Sequence, residues 1–332
     1  MIKFEDIREV HLEISSLCNA RCPLCPRNFY GYPYNDGYQE TNLTLESVKR
    51  IFSEDFVKQL NMIWINGNFG DAVMNPETPN IVEYFKTTNP DIAVEISTNG
   101  SARDSEFWTK LARLGAKVYF CLDGLEDTHS LYRVNTNYHT ILKNAQTFIN
   151  AGGVAIWKMI PFDHNRHQID ECKNTSTALG FSGFWLTDHG RNTGPVFDTK
   201  GNLTHTVGNY QGEKTFEILF HKRKTDTVLV EDIASQIKDT IKCETQWLRS
   251  IYISSTGDVY PCCYTGLSPN TYGHGNYLQA VNSQLRPLVK NNNALTNSLE
   301  ECINWFSQVE ETWTKSNFST GRLLCCNDNC GI

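Results

Sequence analysis

The chain has 332 residues, of which 40% are hydrophobic and 20% are charged, and its formal net charge at pH 7 is −7. This composition is typical of soluble globular proteins, and the negative charge argues against a surface that wraps duplex nucleic acid. Because no apolar run reaches the roughly 18 residues of a membrane span and the N-terminus lacks a signal-peptide pattern, we expect a cytoplasmic protein without a membrane or nucleic-acid partner.

Six short apolar segments occupy the first 190 residues and alternate with helical patterns. Their content of Val, Ile, Phe and Trp predicts strands that are buried on both faces. Strands that alternate with helices imply parallel βαβ units, and six units indicate a barrel open on one side or a doubly wound sheet. The predicted strands are Val10–Ser15, Met62–Ile65, Ala93–Ser97, Lys117–Leu122, Val154–Ile160 and Gly183–Thr187.

Apolar residues at helical spacing separate these strands. The first run, from Leu45 to Phe56, predicts a helix, and Asp104 is a candidate cap for another helix that ends at Gly115. Two further helices are expected to end before Gly152 and at Gly180.

The pattern changes after the sixth predicted strand. From His189 to Lys242 the chain is rich in Gly, Asn, Thr and His, which predicts a connector. A β-hairpin is then expected around Ser255-Thr256-Gly257. The remaining predicted elements are a helix near Glu231–Lys242, the hairpin strands Ser250–Ser254 and Asp258–Cys262, and a helix over Leu295–Thr314.

The chain has 12 cysteines, and their clustering favours metal ligation over a disulfide framework, which belongs to small secreted domains. Cys18, Cys22 and Cys25 follow the first predicted strand with the spacing C-x3-C-x2-C, at the end where barrel enzymes place their chemistry. Three thiolates hold three irons of a cubane cluster and leave the fourth iron open for another ligand. A zinc site would lack a fourth ligand, because no histidine lies near this loop.

The cysteine loop resembles the signature of the radical S-adenosylmethionine (SAM) superfamily. In that family the open iron chelates the amino and carboxylate groups of SAM, and reduction releases a 5′-deoxyadenosyl radical. Segments at the ends of the later predicted strands resemble other motifs of the family, although Gly-Asp and Asn-Gly are also common turn formers. These segments are Gly67-Asn68-Phe69-Gly70-Asp71, Ser97-Thr98-Asn99-Gly100, Cys121-Leu122-Asp123-Gly124 and the stretch from Phe162 to Gln168.

The resemblance implies an α/β fold, namely a partial (β/α)6 barrel of the TIM type, and a [4Fe-4S] cluster that binds SAM. Asp71 stands where the family has glutamate, so a backbone contact is the alternative there. A structural salt bridge is the alternative for Asp123 and Arg133. The residues that the resemblance assigns to SAM are Gly67, Gly70, Asp71, Ser97, Asn99, Asp123, Arg133 and Asn165.

Four cysteines in the last third of the chain predict a second cluster. The hairpin brings Cys262 beside Cys243, and the C-terminus returns with Cys326 and Cys330 in C-x3-C spacing. Four thiolates suit a closed iron–sulfur cluster, with structural zinc as the alternative. The arrangement resembles the SPASM/twitch extensions of radical SAM enzymes, and the short tail favours the twitch form with one auxiliary [4Fe-4S] cluster.

Neighbouring cysteines leave this ligand set open. Cys263 adjoins Cys262, and since successive residues of a strand point to opposite faces, the two should not both reach one cluster. Cys325 is likewise an alternative to Cys326. The cysteines expected in the apolar core instead are Cys172 and Cys302.

These resemblances divide the chain into a radical SAM barrel at residues 1–190, a connector on the substrate side at 191–242 and a twitch-like auxiliary-cluster domain at 243–332. The connector and the segment 264–300 are expected to line the mouth of the barrel. Residues there that could meet a carboxylate or a phosphate, or simply be solvated, are Arg191, His205, His221, Lys222 and Arg223.

The resemblance implies an enzyme that abstracts a hydrogen atom from its substrate. Members with such extensions mostly modify ribosomally made peptides or oxidise small alcohols, so we expect epimerisation, cross-linking or oxidation of a peptide, with a small alcohol or sugar as the alternative substrate. A flavodoxin or ferredoxin is the expected electron donor. Cys121 replaces a serine of the family and is either a hydrogen-atom donor or a small buried residue. The competing class, a non-enzymatic iron–sulfur or zinc redox protein, does not explain the SAM-type motifs on consecutive strands.

Overall fold

The computed structural model of the protein describes residues 2–34, 39–187, 193–225, 236–267 and 275–332, and of residues 221–225 and 275–278 it describes the backbone only. Strands and helices alternate through the first part of the chain. In order, they are β1 (Glu9–Leu12), α1 (Leu45–Ile51), α2 (Glu54–Gln59), β2 (Met62–Ile65), α3 (Thr78–Thr88), β3 (Ala93–Thr98), α4 (Ser105–Arg113), β4 (Lys117–Cys121), α5 (Glu126–Tyr132), α6 (Tyr138–Asn150), β5 (Val154–Met159), α7 (Ile169–Ala178) and β6 (Gly183–Leu186).

Strands β1 to β6 are hydrogen-bonded in chain order, and every pairing among them is parallel. All six predicted strands are therefore confirmed, and the fold is the expected α/β class with the partial (β/α)6 barrel. Parallel strands place their C-terminal ends at one edge, which gathers the loops after β1 to β6 on one side of the barrel.

The two faces of the barrel strands differ in burial. On the outer face, residues such as Val10, Ile63 and Trp157 are fully buried under the helices. On the inner face, residues such as His11 and Lys158 are only half-buried. The prediction of burial on both faces is therefore wrong for the inner face, because the barrel is open and its interior is lined by polar and aromatic side chains.

The helices start where capping side chains are available. Asp104 accepts a hydrogen bond from the backbone N–H of Phe107 at 3.0 Å and caps α4, as predicted. The run predicted as a helix from Leu45 to Phe56 is divided into α1 and α2, because Ser53 accepts from the N–H of Phe56 and begins a new helix. Helices α3 and α5 were not anticipated from the sequence pattern.

The stretch expected to be a connector contains an antiparallel hairpin and a helix. Residues 236–242 are not helical, so the helix predicted near Glu231–Lys242 is wrong there, and residues 231–235 lie outside the described part. The elements of this half are β7 (Gly194–Phe197), β8 (Leu203–Val207), α8 (Phe216–Thr225), α9 (Glu244–Leu248), β9 (Ser250–Ile253), β10 (Val259–Tyr260), α10 (Cys263–Leu267), α11 (Gly275–Leu285), α12 (Leu299–Cys302), α13 (Phe306–Glu311) and α14 (Leu324–Cys330).

The predicted hairpin around Gly257 is confirmed, and it extends the barrel sheet. Strand β9 pairs in parallel with β1, and β10 pairs antiparallel with β9, which gives a sheet of eight strands in the order β10-β9-β1-β2-β3-β4-β5-β6. The helix predicted over Leu295–Thr314 is instead the short helices α12 and α13, followed by a 3-10 turn. None of the described helices is both long and apolar enough to cross a membrane.

Candidate functional site

The cysteine loop 18–25 lies beyond the C-terminal end of β1. Cys22 is buried, and it packs with Cys18 and Cys25 into a small hydrophobic cluster that is separate from the main core. The backbone N–H of Cys25 donates to the carbonyl of Cys22 at 3.0 Å, which tightens the loop. The other members of the cluster come from the loop and from elements above it: Ala20, Leu24, Tyr132, Val134, Ile160, Phe162, Val196 and Val207.

The three thiols are close enough to influence one another. Burial raises the pKa of Cys18, and the neighbouring Asp71, Cys22 and Cys25 raise it further. Three thiolates in this setting repel one another unless a cation lies between them. The donor set therefore fits an iron–sulfur cluster.

The carboxylate of Asp71 connects the segments that follow β2 and β3 by hydrogen bonds. Its Oδ1 accepts from the Thr98 hydroxyl at 2.7 Å, and its Oδ2 accepts from both the backbone N–H and the side-chain amide of Asn99 at 2.7 Å. The N–H of Val73 also donates to Oδ1. The Asp71 carboxylate is thus engaged within the protein and holds the Asn99 turn in place.

Asn99 connects this carboxylate to the cysteine loop. Its amide nitrogen lies 2.9 Å from Oδ1 of Asn19 and 3.6 Å from the sulfur of Cys18. The Asn19 amide in turn donates to the hydroxyl of Ser101 at 2.7 Å. The motifs after β1, β2 and β3 therefore form one hydrogen-bonded unit.

Glu13 was not identified from the sequence, although it is the residue that holds the turn 67–70. Its Oε1 accepts from the N–H groups of Phe69 and Gly70 at 2.7 and 2.9 Å, and its Oε2 accepts from the hydroxyl of Tyr252. Burial raises the pKa of Glu13. A Cβ atom at Gly70 would overlap the backbone of Ser15, so only glycine fits at this close approach.

Asp123 and Arg133 form the salt bridge that was left open as the alternative. Asp123 is fully buried, and its Oδ2 lies 2.6 Å from Nε of Arg133, while its Oδ1 accepts from the N–H of Ile160. The Nη1 of Arg133 lies 3.8 Å from the sulfur of Cys22. Arg133 is thereby held against the cysteine loop.

Asn165 is buried with its side chain engaged inside the protein. Its Oδ1 accepts from the N–H of Phe162, and its amide donates to the carbonyls of Asp123 and Ile160. The geometry thus gives Asn165 a supporting position between the ends of β4 and β5.

Two buried polar atoms at this edge of the barrel lack a hydrogen-bond partner within the described residues. They are Nε2 of His164, after β5, and the hydroxyl of Thr187, after β6. Burial lowers the pKa of His164, so its imidazole is neutral at pH 7. Unpaired buried polar atoms are costly, and these two fit a polar ligand such as SAM at the mouth.

The inner face below the mouth carries Ser97 and Cys121. Both are buried, and the hydroxyl of Ser97 accepts from the indole N–H of Trp64 at 3.4 Å. Cys121 is the last residue of β4 and lies opposite Lys158 of β5 in the sheet register. The sequence expectation that Cys121 lies at a strand end is confirmed.

Five cysteines line one small cavity in the C-terminal part, together with Trp313. Cys262 lines the cavity, whereas Cys263 is not among its described lining residues, and its carbonyl instead accepts from the Asn68 amide at 2.9 Å. Both Cys325 and Cys326 line the cavity, so either of them remains a candidate ligand. The cysteines of the cavity are Cys243, Cys262, Cys325, Cys326 and Cys330.

The cysteines of this cavity influence one another's protonation. A hydrogen bond with the Cys330 thiol lowers the pKa of Cys243 to about 6, whereas neighbouring thiols and burial raise the pKa of Cys262, Cys325 and Cys330. The indole nitrogen of Trp313 is buried and has no acceptor within the described residues. An N–H donor beside sulfur ligands is a usual feature of iron–sulfur sites.

No group of three or more His, Cys, Asp or Glu side chains in the described part of the chain is arranged to hold a single metal ion. Cys18, Cys22 and Cys25 are therefore grouped because they share one loop. The cysteines of the C-terminal part are grouped because they line one cavity. Cys172 and Cys302 are fully buried in the main core, as expected.

The residues expected at the mouth are only partly described. His205 of β8 binds the carbonyl of Leu131 at 2.8 Å through Nε2 and thereby fastens the hairpin to α5. Arg191 lies outside the described residues, as do the side chains of His221, Lys222 and Arg223.

No protein-family model matches the chain. A stretch of 120 residues is 31% identical to the tungsten-containing aldehyde ferredoxin oxidoreductase cofactor-modifying protein of Pyrococcus furiosus, and it covers 36% of this chain and 32% of that protein. The match thus spans about a third of the length of that relative.

The fold is similar to those of several solved structures. Streptococcus suis SuiB superposes with a TM-score of 0.57 at 14% identity, over 96% of this chain and 72% of that chain. The structure of SuiB bound to the precursor peptide SuiA gives a TM-score of 0.55 at 14% identity, over 96% and 76%. The protein anSMEcpe with bound AdoMet, which is SAM, gives 0.53 at 14% identity, over 95% and 85%. At such identities the likeness establishes the fold.

Proposed function

We propose that this chain is a radical SAM enzyme that abstracts a hydrogen atom from a peptide substrate. The observation that carries the proposal is the unit of Cys18, Asn99 and Asp71, in which polar groups after β2 and β3 are bonded to a three-cysteine loop after β1. This unit lies at the C-terminal edge of a partial barrel, which is where such folds carry their chemistry.

Cys18, Cys22 and Cys25 would hold a [4Fe-4S] cluster, and the SAM bound to it supplies the 5′-deoxyadenosyl radical. The chain contributes the surroundings. Arg133, fixed by Asp123, holds a positive charge beside the sulfur of Cys22. The hydrophobic cluster around Cys22 shields this thiol from water, while Cys18 and Cys25 are partly exposed.

The turn 67–70 and the atoms His164 Nε2 and Thr187 Oγ1 are the groups proposed to meet SAM. Glu13 accepts from the N–H groups of Phe69 and Gly70, and the Asn68 amide donates to the carbonyl of Cys263, so we expect the backbone carbonyl groups of the turn to contact SAM. His164 and Thr187 would gain the hydrogen bonds that they lack among the described residues.

A peptide substrate is proposed because one solved structure of similar fold, SuiB, is bound to its precursor peptide SuiA. The open, half-buried inner face of the barrel suits an extended chain. A flavodoxin or ferredoxin is the proposed electron donor.

The test is SAM cleavage by anaerobically reconstituted protein with a strong reductant. We expect that replacing Cys18, Cys22 or Cys25 by Ala abolishes 5′-deoxyadenosine production, because the loop carries no spare ligand. Cys172→Ala, a change of the same kind far from the loop, is the matched control and should keep the activity. Production at the wild-type rate by any of the three loop variants would contradict the proposal.

A second cluster, held by Cys243, Cys262, Cys326 and Cys330, is also proposed, with Cys325 as the alternative to Cys326. The support is their shared cavity. Two cubane clusters bring about eight irons per chain, and one brings about four. We expect the Cys326→Ala/Cys330→Ala double variant to lose about half of its iron, while Cys263→Ala keeps it. An unchanged iron count, or zinc bound by the tail, would reject the second cluster.

A further inference from the structure

The turn 67–70 is bonded to the C-terminal half of the chain as well as to the barrel. The side-chain amide of Asn68 donates to the carbonyl of Cys263, which lies 195 residues further along the chain, at 2.9 Å. Cys263 is the first residue of α10, and Cys262, which lines the cysteine cavity, directly precedes it. One side chain thus bridges the turn proposed to contact SAM and the residue next to a proposed ligand of the second cluster.

A second route joins the same two places through Tyr252. This side chain is fully buried, and its hydroxyl donates at 2.7 Å to Glu13, whose other carboxylate oxygen accepts from two N–H groups of the turn 67–70. The ring of Tyr252 packs against α10, where a Cβ atom at Gly266 would come within 2.3 Å of it. The turn, α10, Tyr252 and Glu13 therefore form a closed ring of contacts.

Cys262 moves together with α10, because three hydrogen bonds join them. Its backbone N–H donates to the hydroxyl of Thr265 at 3.2 Å, and that hydroxyl donates to the Cys262 carbonyl at 2.8 Å. The N–H of Gly266 donates to the same carbonyl at 3.0 Å. A group held by the sulfur of Cys262 therefore restrains the start of α10 and, with it, the Cys263 carbonyl that Asn68 binds.

We propose that Asn68 couples the two sites, so that SAM binds at the turn 67–70 more tightly when the cysteine cavity holds its cluster. The inference rests on the proposed function and links the two cofactor sites within it, with Asn68 as a positioning residue. When the Cys263 carbonyl is held in place for the Asn68 amide, the turn is ordered before SAM arrives, and less conformational freedom is lost on binding. By linkage, bound SAM stabilises the filled cavity to the same extent.

The test compares the affinity for SAM with and without the second cluster. Anaerobic calorimetry in the absence of reductant gives the Kd of SAM for reconstituted wild type and for the Cys326→Ala/Cys330→Ala variant. We expect the variant to bind SAM about fivefold more weakly, which matches one amide–carbonyl hydrogen bond. In a chain that also carries Asn68→Ala, removal of the two cysteines should leave the Kd unchanged. Asn80→Ala, at an exposed position of α3, is the matched control background and should keep the fivefold difference.

Equal affinity in wild type and the double-cysteine variant, or a difference that persists with Asn68→Ala, would overturn the inference. About four irons per chain in the double-cysteine variant would show that it still folds around its first cluster. With the tail intact, Asn68→Ala should itself bind SAM about fivefold more weakly, and wild-type affinity there would overturn the inference even if the double-cysteine variant does not fold. Failure of wild type to bind SAM would reject the proposed function and the inference with it, whereas SAM binding without coupling rejects the inference alone.

Discussion

Asp71 accepts two hydrogen bonds from Asn99, one from the backbone N–H and one from the side-chain amide, and each is 2.7 Å long. The same amide nitrogen lies 3.6 Å from the sulfur of Cys18. The Asp71 carboxylate therefore acts on the cysteine loop through Asn99. The sequence resemblance had instead assigned Asp71 to direct contact with SAM.

Replacing Asp71 by Asn should weaken this linkage, because an amide cannot accept hydrogen bonds on both of its ends. We expect SAM cleavage to fall about tenfold or more, which corresponds to the loss of one or two charge-assisted hydrogen bonds. The iron content should remain, since all three thiols are intact. Asp91→Asn, at an exposed position, is the control, and an unchanged cleavage rate in Asp71→Asn would refute the positioning role.

Glu13 should make the stability of the protein depend on pH. Burial raises its pKa in the folded state, so the protonated form favours folding. The contribution is fully present below the ordinary glutamate pKa of about 4.5 and is lost as the pH rises through the raised pKa. Urea unfolding at a series of pH values should therefore show that wild type loses stability relative to Glu13→Gln across this window. The exposed Glu46→Gln variant should run parallel to wild type, and a parallel Glu13→Gln curve would count against the prediction.

Trp313 should tune the proposed tail cluster. Trp313 lines the cysteine cavity, and its buried indole N–H lacks an acceptor within the described residues. Donors to sulfur stabilise the reduced state of a cluster. Trp313→Phe should lower the reduction potential on the order of 50 mV, which corresponds to roughly 1 kcal/mol for one electron. A redox titration followed by electron paramagnetic resonance measures the shift. Trp305→Phe removes a buried indole N–H that is not among the lining residues of that cavity, and an equal shift there would argue against a local effect.

Cys121 should decide the outcome of the reaction if it donates a hydrogen atom. A thiol S–H bond is weaker than an alkyl C–H bond, so donation to a substrate carbon radical gives a redox-neutral product such as an epimer. The thiyl radical left on Cys121 then takes one electron from the external reductant and one proton from solvent, which restores the thiol. In deuterated water the product should then retain one deuteron at the reacting carbon, and this label should disappear in Cys121→Ala. A product two hydrogens lighter than the substrate, formed at the normal rate by Cys121→Ala, would assign Cys121 to packing alone.

The sequence predicted the barrel strands well because each is a short apolar run that ends in a turn. It did not predict the hairpin β7–β8, whose strands include Leu203 and Thr204 at exposed positions and so lack a clear apolar pattern. Glu13 was missed because a single carboxylate directly after a strand has no sequence pattern that identifies it as buried. Its partners, Gly70 and Tyr252, lie 57 and 239 residues away along the chain.

The motifs also did not predict that the side chains of Asp71, Asn165 and Arg133 bond to other groups of the protein. The motifs predicted that Asp71 and Asn165 follow strand ends, which the structure confirms, whereas Arg133 lies at the C-terminal end of α5. The partners of these side chains are set by hydrogen bonds between segments that are distant in sequence, such as the bond from the Asn165 amide to the carbonyl of Asp123. Those bonds appear only when the strands are side by side.

The pairing of β1 with both β2 and β9 sets the order in which the protein can be completed. A ribosome makes β1 almost 240 residues before it makes β9, so the first strand spends most of synthesis with one of its edges unpaired. Such an edge presents free N–H and C=O groups and is a template for association with other chains. A chain shortened after residue 187 would retain all six barrel strands and would leave this edge of β1 unpaired. The C-terminal segment, which contains β9, therefore protects the barrel from aggregation in addition to contributing cysteines.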